Sequence, residues 1–296
     1  MKLVSVVIPF FGSTDQLAVC LEALERQTLS PELHEVIVVD NGSNTDLTGA
    51  QKRFPGVRWS YEAKCGSFAA RNTGVGIATG EIIAFTDSDC VPEPTWLENG
   101  TNALKSGKAT MLAGRVDYFG PYSRELNMYE HFEEVFFYLN KQKFLVDKLN
   151  VAATANIFAF RAVFDRIGLF DTNLMHYADG EWTQRGVRKG EILGYVDDAL
   201  VKHPRRTTFI EISRKVKRSA GDRMSLARTK SRFSIRLLGD LVQWSFLDPR
   251  TLVAMFRFAR RLQGQRFKVI GFGLWMSIIS TSEKLRVLCG GAAYRG

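Results

Sequence analysis

Short hydrophobic runs alternate with amphipathic segments along the first third of the chain. Four apolar or β-prone runs fall at residues 3–8, 35–39, 57–61 and 82–86. Runs of this length that are rich in valine and isoleucine indicate buried strands. The segments between them have helix-start residues followed by apolar positions on one face, as after Ser13. This alternation predicts an α/β protein with a mostly parallel, doubly wound sheet and right-handed crossovers.

The pattern continues less regularly to residue 203. Residues 68–78 carry small residues and glycines at close spacing, which predicts a helix packed tightly on the sheet. An aromatic-rich helix is expected around 125–139, either covering a site or packing as ordinary core. Further strands are expected at 110–114, 155–161 and 195–203, the last of them edge-like, and further helices from Trp96, over 162–167 and from Asp179.

Polar residues follow two of the predicted strands at the point where each strand ends. Asp40 follows the second strand and leads into the turn-forming Asn41-Gly42-Ser43, and Asp87 and Asp89 follow the run 82–86. Ligands of open α/β sheets bind at these carboxyl ends. Two carboxylates one residue apart suit Mg²⁺ or Mn²⁺, although an isolated Asp-Ser-Asp is also compatible with a solvated turn.

The charge is distributed unevenly over the 296 residues. The chain has a net charge of +9, but residues 201–296 hold 21 Lys and Arg against 5 Asp and Glu, a net charge of +16, which leaves −7 for the rest. Basic residues among apolar and aromatic segments, including 235–247 and 252–262, predict a helical region over 207–296 that associates with an anionic membrane surface. The apolar run 269–279 is too short to span a bilayer and fits an interfacial helix. A soluble helical cap is the alternative, and nucleic-acid binding is disfavoured because no reader motif accompanies the charge.

The cysteines and the N-terminus bear on the compartment. The four cysteines show no paired metal-site spacing, and a disulfide framework is not expected in a chain of this length. The first residues pass directly into a strand-like run and lack the features of a signal peptide. We therefore expect a cytoplasmic protein, peripheral on the inner face of the cell membrane.

Several short motifs, taken together and in order, resemble the family 2 glycosyltransferases, whose fold is the nucleotide-diphospho-sugar transferase (GT-A) type. They cover residues 3–206, so the resemblance implies a GT-A catalytic domain over 1–206. The matching pieces are Val6-Val7-Ile8-Pro9-Phe10, Val38-Val39-Asp40-Asn41-Gly42-Ser43, Ala70-Arg71-Asn72-Thr73-Gly74, Phe85-Thr86-Asp87-Ser88-Asp89, Asn156-Ile157-Phe158-Ala159-Phe160-Arg161, Asp179-Gly180-Glu181-Trp182 with Arg185, and Val201-Lys202-His203.

The resemblance implies roles for individual residues. Nucleotide-sugar binding is expected from Pro9 and Phe10 at the base, Asp40 as a hydrogen-bond acceptor of the base, Arg71 near the diphosphate, Asp87 near the ribose and metal, and Ser43, Asn72 and Arg185 in the same motifs. Asp89 is the implied direct metal ligand, with Asp87 and His203 beside it, and Asn156 and Trp182 are the expected acceptor contacts.

The implied catalytic base is Asp179, which matches the second acid of the family's Glu-Asp pair. The first acid is missing because Ala178 stands in its place, which makes Glu181 a rival for the base. The chemistry requires these residue types: a divalent cation neutralises a departing diphosphate, and a carboxylate deprotonates the acceptor hydroxyl.

The sequence therefore predicts an inverting, Mn²⁺- or Mg²⁺-dependent glycosyltransferase. Its expected donor is a nucleotide-diphosphate sugar, with UDP favoured, and its expected acceptor is a hydroxyl of a lipid-linked or polysaccharide glycan of the cell envelope. A catalytically inactive binding or scaffold protein of the same fold is the alternative. A nucleotidyltransferase is less favoured, because Phe10-Phe11-Gly12-Ser13 does not resemble the glycine-rich basic loop of that class.

Overall fold

The computed structural model describes residues 2–119, 126–137, 139–230, 253, 266–291 and 294. Among these residues the strands are β1 (Val4–Phe10), β2 (His34–Asp40), β3 (Val57–Tyr61), β4 (Ile82–Phe85), β5 (Val91–Pro92), β6 (Met111–Phe119), β7 (Ile157–Phe160) and β8 (Leu193–Pro204). The helices are α1 (Thr14–Glu25), α2 (Thr48–Arg53), α3 (Ser67–Ile77), α4 (Trp96–Ala103), α5 (Met128–Phe136), α6 (Gln142–Leu149), α7 (Arg161–Ile167), α8 (Ala178–Arg188), α9 (Phe209–Lys230) and α10 (Arg266–Leu288).

The eight strands form one mixed sheet in the order β3-β2-β1-β4-β7-β6-β8-β5. Strands β3, β2, β1 and β4 are parallel, as predicted, and β8 is parallel to β6. Strand β7 is antiparallel to both of its neighbours, and β5 is antiparallel to β8. The predicted α/β class is confirmed.

Strand β8 is not at the edge of the sheet, contrary to the sequence-based expectation. It lies between β6 and β5. The edge strand β5 has only two residues, one of them Pro92, and a segment this short carries no periodicity from which a strand could be predicted.

The tight helix predicted over 68–78 is α3, which packs against β1, β2 and β3. A Cβ atom added at Gly74 would lie 2.3 Å from Cγ1 of Val7, whereas one at Gly76 would meet nothing within 4 Å. The close approach of helix and sheet therefore depends on the first of these glycines alone. Strands β1 and β4 are buried along their whole length, which explains their continuous apolar sequence.

The chain divides into two compact units. The first contains residues 1–124, 138–173 and 178–205, and the second contains 125–137, 174–177 and 206–296. The separate domains expected from the sequence, 1–206 and 207–296, stay a prediction, since the second unit also draws on two short segments from before residue 206.

The second unit is helical where the structure describes it. The predicted aromatic helix is α5, which begins after an Asn127 capping box with Glu130. It shares a small core with α9 and α10, made of Phe132, Phe136, Ile212, Phe272 and Met276. No helix in the described part of the chain combines the length and the hydrophobicity that a membrane span needs. The apolar segments 235–247 and 252–262 lie outside the described residues, apart from residue 253.

Candidate functional site

The Asp87-Ser88-Asp89 turn connects the buried strand β4 to β5. Its backbone is held at Asp87, whose carbonyl accepts a hydrogen bond from the Cys90 amide at 3.1 Å and one from Cys20 Sγ at 3.6 Å. Asp87 and Asp89 are only partly buried, whereas both cysteines are fully buried. The turn therefore presents its carboxylates outward from a fixed backbone.

Ligand atoms of four residues converge at this turn. One side-chain atom from each of Asp87, Asp89, Cys90 and His203 lies within 4.8 Å of the others. The sheet explains the convergence, because the antiparallel register that pairs Val91 with Lys202 brings His203 on β8 opposite Cys90. The sequence-predicted metal residues Asp87, Asp89 and His203 are thus brought together.

The hydrogen bond of the His203 ring suits a metal ligand. Its Nδ1 lies 2.6 Å from the carbonyl oxygen of Pro204. A carbonyl only accepts hydrogen bonds, so Nδ1 carries the proton and the lone pair is on Nε2. Fixing the ring in this way is typical of histidines that bind metals.

The donor set fits a divalent cation that prefers oxygen and imidazole ligands. Burial, together with the nearby Asp89 and Asp87 carboxylates, raises the pKa of the Cys90 thiol well above its usual value. In addition, Mg²⁺ and Mn²⁺ prefer oxygen and imidazole ligands to sulfur, which leaves Cys90 the least suited of the four residues. Two carboxylates and one imidazole remain, and such a set suits Mn²⁺ or Mg²⁺.

Arg71 is a buried cation at the same site. It is 3% exposed, it forms an ion pair with Asp87, and its guanidinium carbon lies 5.1 Å from the centroid of the Phe68 ring. Its Nε has no hydrogen-bond partner among the described residues. Buried donors of this kind are normally paired, so Arg71 has an unused donor for an anionic ligand.

Asp179 lies at the start of α8 and is held by three donors. Its Oδ2 accepts hydrogen bonds from the amide of Thr154 at 3.1 Å and from Thr154 Oγ1 at 3.4 Å, and its Oδ1 accepts one from the amide of Gly180 at 2.8 Å. Burial raises the pKa of Asp179 to about 6, against the lowering effects of the Thr154 amide, of Arg71 and of the Gly180 amide; Asp87 adds to the rise. A carboxylate with this pKa is suited to accept a proton near neutral pH.

The rival base Glu181 has a different environment. Both of its carboxylate oxygens accept hydrogen bonds from Arg185, at 2.9 to 3.2 Å. Arg185 in turn donates to the carbonyls of Ile167 and Leu169, at the end of α7 and just after it. This pair ties α8 to the end of α7, and the roles predicted for Glu181 and Arg185 stay predictions. Ala178, where the family has its first acid, is fully buried.

The turn after β2 has the expected polar residues. The amide of Ser43 donates to Oδ1 of Asp40 at 3.0 Å, and Gly42 adopts a positive φ of 74°. Asp40 lies beside the end of β1, because β1 and β2 pair Phe10 with Asp40. Asp40 and Ser43 are only partly buried, so both are accessible at this end of the sheet.

The base-pocket residues predicted on β1 are less accessible. Pro9 is buried, and Phe10 is 1% exposed within the main hydrophobic core. The next residue, Phe11, is 71% exposed and was missed by the sequence analysis. A strand alternates its side chains between two faces, and an apolar residue one position beyond a buried strand end was the available signal.

Three other residues that were predicted to contact a substrate, Asn72, Asn156 and Trp182, instead bond to or pack against other parts of the protein. Asn72 pairs with the backbone of Phe170, donating to its carbonyl at 2.9 Å and accepting from its amide at 3.1 Å. Asn156 is fully buried, donates to the carbonyls of Arg115 and Ala199, and accepts from Trp96 Nε1 at 2.9 Å.

Trp182 is also fully buried. It stacks on Phe164 at 4.6 Å between ring centroids, and its Nε1 donates to the carbonyl of Gly168. We correct the acceptor assignment of Asn156 and Trp182 accordingly, because neither side chain reaches a surface that an acceptor could contact.

Comparisons with known proteins identify the family of this chain. The sequence model of the family described as Glycosyl transferase family 2 matches residues 5–168. Glycosyltransferase AglE of Haloferax volcanii is 32% identical over 212 residues, which cover 70% of this chain and 68% of that protein. The poly(ribitol-phosphate) beta-glucosyltransferase of Bacillus spizizenii is 36% identical over 119 residues, which cover 38% of this chain and 19% of that protein.

Solved structures share the fold at low sequence identity. S. aureus TarS 1-349, in complex with UDP-GlcNAc, superposes with a TM-score of 0.57 at 15% identity, over 98% of this chain and 92% of that one. Mannosyltransferase PcManGT from Pyrobaculum calidifontis, in complex with GDP-Man and Mn²⁺, gives a TM-score of 0.59 at 16% identity, over 96% of this chain and 86% of that one. The fold is thus of the GT-A type, and the chain is a glycosyltransferase that belongs to family 2.

Proposed function

We propose that this protein transfers a sugar from a nucleotide-diphosphate donor to an acceptor hydroxyl, with inversion at the anomeric carbon. The observation that carries the proposal is the grouping of Asp87, Asp89 and His203 at one end of the sheet, beside the buried Arg71. The inverting course is supported by Asp179, whose raised pKa suits it to be the single base of a direct displacement.

The diphosphate of the donor would bind at the carboxyl ends of β1, β2 and β4. Asp89, Asp87 and Nε2 of His203 would hold a divalent cation, which as a Lewis acid neutralises charge on the departing diphosphate. Arg71 would stabilise the same charge through its unused Nε donor. Uracil is the proposed nucleobase of the donor. The UDP-GlcNAc complex of a protein of this fold supports it, although another such protein binds GDP-Man.

The nucleobase of the donor would be held by residues at the ends of β1 and β2. Asp40 would accept a hydrogen bond from it, as the family resemblance implied. We assign the flat face of the nucleobase to Phe11 in place of the buried Phe10, because Phe11 is 71% exposed and directly follows Phe10, the residue that pairs with Asp40. Stacking on an aromatic ring is a common way to bind a base.

The transfer would be a single displacement. The acceptor oxygen forms a bond to the anomeric carbon while the bond from that carbon to the diphosphate oxygen breaks, and the hydroxyl proton passes to Asp179. The nucleoside diphosphate leaves with the bonding electron pair. The amides of Thr154 and Gly180 fix the Asp179 carboxylate in position for this proton transfer.

We propose a lipid-linked or polysaccharide glycan of the cell envelope as the acceptor. One relative is a poly(ribitol-phosphate) beta-glucosyltransferase, which supports a polymeric acceptor. The strongly basic residues 201–296 support an acceptor held at an anionic surface.

Isothermal titration calorimetry with a panel of nucleoside diphosphates, with and without Mn²⁺, tests the donor site. We expect metal-dependent binding of UDP. Binding of another nucleoside diphosphate would replace the proposed base, and equal binding without metal would contradict the metal site. No binding to folded protein would favour the inactive scaffold, for which the missing acid at Ala178 is the one specific sign.

A further inference from the structure

Helix α10 has an unusual distribution of apolar and polar side chains. Four large apolar residues on its exposed side, Phe267, Leu274, Ile278 and Leu285, are 91, 40, 50 and 47% exposed. They are seven, four and seven residues apart, so at 100° per residue they fall within about 20° of one line along the helix. Trp275, 53% exposed, lies beside this line. We call these five residues the α10 stripe.

The inner side of the same helix is mixed: Phe272, Met276 and Val287 are buried there, and polar side chains are buried beside them. Ser277, Ser280, Glu283 and Lys284 are all at most 5% exposed. An ordinary surface helix directs such residues to solvent and its leucines and isoleucines to the core. Helix α10 differs in that its outer side also carries apolar residues, which form a stripe about 27 Å long by the rise of 1.5 Å per residue. Exposed apolar surfaces of this extent mark interaction sites.

The charge of this part of the chain indicates what covers the stripe. Residues 201–296 have a net charge of +16, and exposed basic residues lie at its two ends, Lys268 next to Phe267 and Arg286 next to Leu285. Two copies of so basic a segment would repel each other, whereas an anionic lipid surface would attract it. A tryptophan among aliphatic residues is the composition of helices that lie in the membrane interface.

We propose that the α10 stripe inserts into the headgroup region of an anionic bilayer, with α10 parallel to the membrane plane. The five stripe side chains enter the lipid and Lys268 contacts lipid phosphates, whereas Arg286 at the other end is paired with Glu283. In a cell this surface is the cytoplasmic leaflet, which carries the anionic lipids. The proposal concerns attachment only and does not depend on the chemistry proposed above.

Co-sedimentation of the full-length protein with vesicles tests the attachment. We expect binding to phosphatidylcholine vesicles that contain phosphatidylglycerol, weaker binding as NaCl is raised, and little binding to pure phosphatidylcholine. Ile278→Glu should reduce the partition coefficient by about tenfold or more. It removes an isoleucine that would be buried in the lipid and adds a negative charge that the anionic lipids repel. The matched control is Ile192→Glu in the first unit, where the isoleucine is 55% exposed, and its binding should equal that of the wild type.

A second measurement reports how deeply Trp275 enters the bilayer. Brominated phosphatidylglycerol should quench part of the tryptophan fluorescence of the wild type, and Trp275→Phe should reduce that quenching. Equal vesicle binding by Ile278→Glu and Ile192→Glu would overturn the proposal. So would a wild-type dimer, seen by light scattering, that Ile278→Glu converts to monomer, because a second copy would then cover the stripe. Far-ultraviolet circular dichroism and thermal unfolding of each variant, compared with the wild type, show that it is folded.

Discussion

Asp179 and Glu181 lie two residues apart at the start of α8, but their surroundings give them different chemistry. Asp179 is held by the amides of Thr154 and Gly180, and burial raises its pKa to about 6. Glu181 is paired through both oxygens with Arg185. We therefore propose Asp179 as the proton acceptor, whereas Glu181 joins α8 to the end of α7 through Arg185.

Asp179→Asn should lower kcat by about 10² to 10⁴-fold while the affinity for the donor stays within about threefold. The reason is that an amide cannot accept the proton but keeps the size of the side chain. Steady-state kinetics and calorimetry on the same preparation measure the two effects. Glu181→Gln is the matched control, and a larger loss of kcat in that variant would transfer the role of base to Glu181.

The pH dependence of kcat/KM should show an acid limb set by Asp179. Its pKa is raised from 3.8 to about 6, so the ionised form that accepts a proton is lost as the pH falls through about 6. Below that pH we expect kcat/KM to fall about tenfold per pH unit, and above it to level off. A profile that stays flat down to pH 5 would exclude Asp179 as the base.

Asp89→Asn should raise the dissociation constant of the donor at least about tenfold in the presence of Mn²⁺ and remove the effect of adding the metal. One of the two charged ligands of the cation is lost, and a neutral amide binds such a cation far more weakly. Calorimetric titrations with and without Mn²⁺ measure this. Asp198→Asn, at an exposed position of β8, is the control, and metal-dependent binding that persists in Asp89→Asn would contradict the assignment.

Within α3, we expect alanine substitutions at two glycines two residues apart to have opposite effects on stability. Gly74→Ala should destabilise the protein by about 1–3 kcal/mol, because the added Cβ would lie 2.3 Å from Val7 and force α3 away from β1. Gly76→Ala should stabilise it by up to about 1 kcal/mol, since its Cβ meets nothing and alanine favours the helix. Urea unfolding followed by circular dichroism compares them, and equal effects would show that α3 does not pack as closely as described.

At the scale of the whole molecule, the second unit combines residues 206–296 with the earlier segments 125–137 and 174–177. Deleting the last third of the chain would therefore leave these earlier segments without their packing partners. Helix α5 belongs to the second unit, where its Glu133 is 0% exposed and pairs with Arg206 and Lys215. A chain ending at residue 205 would lose both partners of this carboxylate and the apolar cover of Phe132 and Phe136.

We expect the truncated chain 1–205 to aggregate or to bind a hydrophobic dye, in contrast to the full-length protein. Size-exclusion chromatography and dye fluorescence measure this outcome. Replacing Phe132 and Phe136 with serine in the truncated chain should reduce the dye signal if α5 is its source. A monomeric 1–205 chain that binds nucleoside diphosphates normally would instead establish residues 1–206 as an independent domain.

The sequence by itself determined where the parallel strands lie and which carboxylates end them. The runs that became β1, β2 and β4 were readable because a strand buried on both faces is continuously apolar, and Asp40, Asp87 and Asp89 follow directly from where those runs stop. The close packing of α3 was also predictable, because the spacing of its glycines and other small residues is a local feature of the sequence. The antiparallel strand β7 was found as a strand, but its direction was not, because local periodicity carries no information on strand direction.

Only the tertiary structure decided which of the distant residues meet and which are buried. His203 faces Asp89 because two-residue β5 pairs with β8, and so short a strand leaves no local pattern. Asn156 and Trp182 became interior residues, and Asp179 acquired its raised pKa, through contacts with segments far away in sequence. Hydrophobic periodicity reports the local conformation of the chain, whereas burial, pairing and pKa depend on neighbours that only the folded chain brings together.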